Sequence, residues 1–120
     1  MAIMDNVKST PNAFNAPDYA NASAIATVAV TATTQATANT VYTATADCYI
    51  MLTGSLQTSG YSDNLSFLIN DTIACQLFNQ VLNTVAYHGM TWYPLKKGDV
   101  VKAFGNGTNQ NAYYMTAPTR

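Results

Sequence analysis

The sequence predicts an all-β protein, a jelly-roll β-sandwich of about eight or nine short antiparallel strands preceded by an extended N-terminal arm. From residue 23 onward Thr, Val and Ala dominate, a mixture that suits a pleated sheet better than a helix. Apolar residues alternate with a period of two in short runs separated by turn-forming residues, and no run shows a convincing period of 3.6. At 120 residues the chain has room for one domain.

Residues 1–23 differ from the rest of the chain because Asn, Ala and Pro dominate them. Pro11 and Pro17 interrupt any regular ladder, since proline lacks a backbone N–H. We interpret this segment as a docking arm that orders against a partner, and residues 24–120 as the sandwich domain. The large apolar side chains of the arm, which we expect to contact the partner, are isolated from one another: Ile3, Val7, Phe14 and Tyr19.

Two of the predicted strands each supply one row of a core, because alternate residues of a strand share a face. These rows are Cys48, Ile50 and Leu52 in one strand and Leu65, Phe67 and Ile69 in another. In chain order the predicted strands are 25–33, 40–45, 48–54, 65–70, 72–78, 80–87, 91–95, 99–104 and 112–116.

Turn-forming residues lie between these strands. Asn70-Asp71 separates two apolar runs, and both residue types tolerate a positive φ, so a two-residue hairpin is expected there. Gly98 supplies a positive φ for a second turn, and residues 105–107 form a third. Lys96 and Lys97 precede Gly98 and are therefore interpreted as solvated turn residues, not as a ligand site.

The composition argues against several classes of function. A net charge of −1 with five basic residues argues against nucleic acid as a partner. His88 is the sole histidine and no aspartates occur as a close pair, so we predict no catalytic residues, no metal site, no cofactor and no enzymatic activity. The N-terminus lacks the pattern of a secretory signal and no stretch resembles a membrane span. Cys48 and Cys75 are therefore expected to be free, buried thiols.

The charged fraction of 9% is low for a soluble domain. We interpret it as a sign that copies of the chain or a larger assembly cover much of the surface, the alternative being a neutral, hydrated surface of Thr, Asn, Ser and Gln. Tyrosine and asparagine near predicted loops could stack on sugar rings and bond their hydroxyls, whereas tyrosine on a strand is more often a core or interface residue. The candidate loop contacts are Tyr61, Asn106, Tyr113 and Tyr114.

Three segments, "YTATADCYIMLTGSL", "LSFLINDTIAC" and "WYPLKKGDVVKAFGNG", together resemble the small jelly-roll domains of tailed-bacteriophage virions, and are similar to the trimeric complement and tumour-necrosis-factor-like heads. The resemblance covers roughly residues 40–107. It departs from the pattern at Cys48, where glycine is common, and no stalk precedes the domain, which argues against a tail-fibre role.

The resemblance implies a non-enzymatic virion protein, assembled in the host cytoplasm, that forms a homotrimer and contacts the major capsid protein or another virion protein. The first interpretation is a capsid decoration or cement protein. The alternatives are a tail or fibre head that binds host-surface glycan and a cellular carbohydrate-binding module. Membranes and nucleic acids are not expected partners.

Overall fold

The computed structural model describes residues 16–89 and 91–120, and within them the chain is all-β, as predicted. Two antiparallel sheets form, which is consistent with a β-sandwich. Two short 3-10 turns, Tyr19–Asn21 and Gln35–Thr37, are the helical elements of the described residues, and neither is long enough to cross a membrane. In chain order the strands are β1 Ala26–Ala29, β2 Asn39–Thr43, β3 Cys48–Gln57, β4 Asp63–Ile69, β5 Thr72–Asn79, β6 Val85–Tyr87, β7 Thr91–Leu95, β8 Val100–Gly105 and β9 Thr108–Pro118.

The five-stranded sheet has the order β1-β9-β3-β6, with β7 also paired to β3. Strands β6 and β7 follow one another along the same edge of β3, opposite Gln57–Ser55 and Leu52–Cys48 respectively. The four-stranded sheet has the order β2-β8-β4-β5. The core lies between the sheets, and its fully buried members include Ile50, Leu52, Leu56, Leu65, Phe67, Val101, Ala103 and Ala112.

The predicted turns at Asn70-Asp71 and Gly98 are confirmed. Asn70 and Asp71 have φ of 50° and 65°, and the flanking residues Ile69 and Thr72 pair directly. Gly98 has a φ of 94°. The two turns are joined because the Asn70 amide donates to the Asp99 carboxylate at 2.9 Å and accepts from the Val100 N–H at 3.0 Å.

Two elements differ from the sequence-based expectation. The predicted strand 80–87 is paired as a strand only over Val85–Tyr87, because the side chain of Asn79 holds the preceding residues in a loop. The last strand begins at Thr108, four residues before the predicted start at 112. Its polar first residues pair with β3 even though they carry no apolar alternation.

The alternating strand directions place the connections at two opposite ends of the molecule. One end holds the turns at 44–47, 70–71 and 96–99. Ala16 lies at the same end, since its carbonyl accepts a hydrogen bond from the N–H of Arg120 at 3.0 Å. The other end holds the loops at 58–62, 80–84 and 106–107. We call the first the charged end and the second the uncharged end, for reasons given below.

The described part of the predicted arm runs beside the end of β9. Pro17 forms a bridge with Thr119, and the N–H of Ser23 donates to the carbonyl of Thr116 at 2.7 Å. The ring of Tyr19 contacts Trp92 edge-on at 5.4 Å between centroids. The other three predicted contact residues, Ile3, Val7 and Phe14, lie outside the described residues, so partner docking by the arm stays a prediction.

Replacing Gly105 with alanine should destabilise the fold. A Cβ there would collide with the side-chain oxygen of Gln110 and the carbonyl of Asn64. Overpacking of this kind lowers the free energy of unfolding by about 1–3 kcal/mol. Gly60→Ala is the matched control, because a Cβ at Gly60 meets no atom within 4 Å. Urea denaturation of the two variants tests this, and equal midpoints would contradict it.

Candidate functional site

Charge is segregated along the molecule. Asp63, at the uncharged end, is largely buried, with 8% of its surface exposed. Every other charged residue in the described part of the chain lies at or reaches towards the charged end: Asp18, Asp47, Asp71, Lys96, Lys97, Asp99, Lys102 and Arg120. The uncharged end and the strands next to it therefore present a neutral surface.

The carboxylates of the charged end hold its turns. Asp99 accepts from the Lys96 N–H at 2.8 Å, and Asp47 accepts from the Lys97 N–H at 2.9 Å. The hydrogen bond from Asn70 lowers the pKa of Asp99, and the Lys96 N–H bond acts in the same direction. An open cavity of about 540 Å³ lies beside these turns, lined by Asp47, Cys48, Tyr49, Pro94, Leu95, Lys96, Asp99 and Thr119.

Neither cysteine is placed to be a nucleophile. Cys48 and Cys75 are both free. Burial raises the pKa of each thiol, and for Cys48 the nearby carboxylates of Asp47 and Asp99 raise it further. Both are therefore held as neutral thiols, and the thiolate is the form that reacts.

The uncharged end exposes several large apolar side chains. Val81 and Leu82, in the loop after β5, are 60% and 41% exposed. Phe78 and Val85 flank this loop and are 51% and 43% exposed. Tyr61 extends from the neighbouring loop, with 72% of its surface exposed. The end therefore combines a lack of exposed charge with a group of solvent-facing apolar side chains.

A buried asparagine fixes the loop that carries Val81 and Leu82. The Asn79 side chain donates to the carbonyl of Thr84 at 2.7 Å and to that of Leu56 at 3.3 Å, and accepts from the Val81 N–H at 3.0 Å. Asn79 is only 3% exposed. Because satisfied buried amides are costly to disturb, the loop has a defined conformation before any partner arrives.

Two further buried polar side chains hold the neighbouring loops. The carboxylate of Asp63 accepts the Ser59 N–H at 3.0 Å, and its bond with the Thr58 hydroxyl is the main cause of a lowered pKa. Gln110 donates to the carbonyls of Gly105 and Val30 at 3.1 and 3.3 Å and accepts the Gly107 N–H at 3.3 Å. All three loops of this end are thus held by side chains from the strands below.

Several amides near the surface are also committed to internal bonds. Asn106 accepts the Asn64 N–H at 2.7 Å, and Asn109 donates to the side-chain oxygen of Gln57 at 2.8 Å. Thr108 donates to the carbonyl of Gln57 at 3.1 Å. These groups are therefore less available to an incoming ligand than their exposure suggests.

The outer face of the five-stranded sheet is a second neutral surface. Its strands contain no charged residue. Tyr87 and Tyr113 lie nearly parallel on it, with ring centroids 6.5 Å apart and 28° between the planes. The hydroxyl of Tyr113 shares a hydrogen bond of 3.2 Å with that of Ser55 on the central strand. Met51 is buried on this face although it points away from the core, with Trp92 and Met115 as its cross-strand neighbours.

The four predicted loop contacts lie in different places. Tyr61 is exposed at the uncharged end, and Asn106 lies in another loop of that end with its side-chain oxygen bonded. Tyr113 lies on strand β9, on the outer face of the five-stranded sheet. Tyr114 follows it on the same strand and points inward, where it packs on Tyr42 at 5.4 Å between centroids.

The apolar side chains of the uncharged end were not identified from the sequence. The run "LFNQVLNTV" has a signal that could have revealed them. Its apolar residues occur in pairs separated by Asn, Gln and Thr, so they fit neither a half-buried strand nor a buried one.

His88 lies at the break between β6 and β7. The N–H of His88 donates to the carbonyl of Gly54 at 3.2 Å, and its carbonyl accepts from the hydroxyl of Thr53. Its Nε2 is buried without a hydrogen-bond partner among the described residues. Within the same residues, no three His, Cys, Asp or Glu side chains are grouped so that they could hold a metal ion.

A scan against models of known protein families finds no match to the chain, and a search of curated protein sequences finds none either. The residues themselves, not a relative, have to indicate the function.

Asp63 should make the stability depend on pH in the acid range. Its pKa in the folded chain lies below the ordinary 3.8, so its contribution is present above pH 3.8 and is lost as pH falls through the folded-state pKa. The Asp63→Asn variant should therefore be less stable than the parent at pH 7, with a difference that shrinks on acidification. Thermal unfolding from pH 7 to pH 2.5 measures that difference. Asp99, whose pKa is also lowered, is present in both proteins and cancels. A difference independent of pH would contradict the role of the carboxylate.

Proposed function

We propose that this chain is a non-enzymatic structural protein of a bacteriophage virion, a capsid decoration protein that stabilises the shell as a homotrimer. The observation that carries the proposal is the neutral outer face of the five-stranded sheet, whose strands have no charged residue. A face of this kind suits burial against copies of the same chain.

We infer the finer fold class, a jelly roll, from the strand order. If β6 and β7 are counted as two halves of one interrupted strand, the sheets contain four strands each, ordered β1-β9-β3-β6/β7 and β2-β8-β4-β5. Two four-stranded antiparallel sheets linked by repeated crossings from one sheet to the other are the arrangement of an eight-stranded jelly roll. This supports the resemblance to small virion domains on grounds other than turn residues.

The outer face of the five-stranded sheet has the features of an interface between subunits. It combines exposed aromatic rings with small side chains, Ser55 and Thr53, on its central strand. Aromatic residues are enriched and charged residues depleted at the centres of protein interfaces. Three copies meeting through this face would cover the aromatic side chains and leave the charged and uncharged ends free.

The polar groups support a structural role over a catalytic one. The carboxylates of Asp47, Asp63 and Asp99 hold backbone N–H groups of turns, and both thiols are neutral. Groups committed in this way stabilise local structure and are not positioned to transfer protons to a substrate.

One observation favours the second candidate, a tail or fibre head that binds host-surface glycan. The near-parallel pair Tyr87 and Tyr113 forms an aromatic platform, and aromatic rings of this kind stack on sugars. The platform lies on the same face that the trimer would bury. Assembly and glycan binding therefore compete for it, and the oligomeric state distinguishes the two candidates.

The oligomeric state and its interface can be tested with one substitution. The parent should elute as a trimer of about three times its 12.9 kDa mass in size-exclusion chromatography with light scattering. Tyr87→Asp should give a monomer, because it places a charge on the neutral face at a side chain that is 74% exposed. Ala74→Asp, on the exposed edge strand β5, is the matched control and should stay trimeric. A parent that is monomeric at micromolar concentration would exclude the trimer.

The composition of purified particles separates the two virion roles. A decoration protein gains its hold by adding many modest contacts over a shell, so it should be present at a copy number comparable to that of the major capsid protein. Quantitative mass spectrometry with the capsid protein as internal reference measures this number. A number near that of tail components would transfer the assignment to the fibre head, and absence from particles would reject both.

A further inference from the structure

The loop between β5 and β6 is built to keep apolar side chains in solvent. Its backbone is held by three hydrogen bonds from the buried side chain of Asn79 and by the bond from the Asn83 N–H to the carbonyl of Thr58 at 2.9 Å. A loop that served only to connect two strands would turn Val81 and Leu82 inward or replace them by polar residues. Here the fixed backbone holds both of them outward.

These side chains form part of one surface. Leu82 is bridged to Thr58, and Val85 lies opposite Gln57 on the neighbouring strand. Phe78 lies opposite Asn64, and Tyr61 belongs to the loop that joins β3 to β4. Six of the nine large apolar side chains described as exposed belong to this end or to β6 beside it: Tyr61, Phe78, Val81, Leu82, Val85 and Tyr87. Apolar clusters on a soluble surface commonly mark sites of interaction.

The chemistry of the uncharged end selects its partner. An anionic partner such as nucleic acid or an acidic lipid headgroup would find no exposed cation there, since the lysines and Arg120 lie at the opposite end. A sugar needs free amides and hydroxyls, but those of Asn106, Asn109 and Thr108 are bonded internally. Aliphatic side chains such as Val81 and Leu82 fit an apolar protein surface better than a sugar ring.

The position of the chain's N-terminal segment adds a geometric element. Residues 1–15 join the sandwich at Ala16, at the charged end, whereas the apolar loops lie at the other. A partner of the loops and a partner of the N-terminal segment would therefore approach from opposite ends of the sandwich. This arrangement suits a protein that connects two neighbours.

We propose that the uncharged end is a docking surface for an apolar, uncharged protein surface, with Val81 and Leu82 at its centre. The inference rests on the proposed function, which makes that partner a surface of the capsid shell. The preformed loop lowers the conformational entropy lost on binding, so a small contact area can hold usefully when repeated over many copies.

The test is co-sedimentation of the full-length protein with shells assembled without it. The double variant Val81→Asp/Leu82→Asp puts two charges at the centre of the surface and should weaken binding by about tenfold or more, as expected for central interface residues. The matched control, Thr45→Asp/Ala46→Asp, puts two charges on an exposed turn of the charged end and should bind as the parent does. Unchanged melting temperatures and an unchanged oligomeric state confirm that both variants fold and assemble.

The other outcomes overturn the inference. Parent-like binding by the double variant would show that the loops do not contact the shell. Equal weakening in both variants would mean that added charge, not this surface, matters. Vesicles of neutral phosphatidylcholine serve as the membrane probe, and binding to them that disappears in the double variant while shell binding persists would assign the end to lipid. Failure of the parent itself to bind shells would reject the proposed function together with this inference, a result distinct from the preceding three.

Discussion

The pairing of β3 with β9 is the interaction on which the rest of the structure depends. These are the two longest strands, and their register runs from Cys48 opposite Pro118 to Gln57 opposite Thr108. Every other strand of the five-stranded sheet is hydrogen-bonded to one of them. The inner row of β3 supplies Ile50, Leu52 and Leu56 to the core, so this one ladder organises both the sheet and the packing beneath it.

Buried polar side chains extend that order into the loops. Gln110 is carried by β9 and holds the turn between β8 and β9, while Asn79 at the end of β5 bonds back to the carbonyl of Leu56 on β3. Asp63 does the same for the loop that precedes β4. The chain thus fixes loop conformation with satisfied internal polar groups in place of surface ion pairs, which is compatible with its low charged fraction.

Local patterns predicted the elements that depend on local chemistry. The alternation in 65–69 and the positive-φ residues at Asn70-Asp71 were sufficient to place a strand and its hairpin. The loop at 80–84 was not predictable in the same way, because it depends on hydrogen bonds from Asn79 to residues before and after it in the chain. The candidate site was recognised only in Tyr61 and Asn106, since the pairing of distant strands, which no single segment specifies, decides which loops share an end.

The segregation of charge determines which physical variables act on contacts made by this molecule. Its exposed charges are confined to one end, where four acidic and four basic residues largely balance. Screening by dissolved ions acts on charges, with a Debye length of about 8 Å at physiological ionic strength. A contact made through the sheet face or the uncharged end contains no charge from this chain, so dilution or concentration of salt has little to act on. Temperature acts on it instead, because association through apolar surface weakens on cooling.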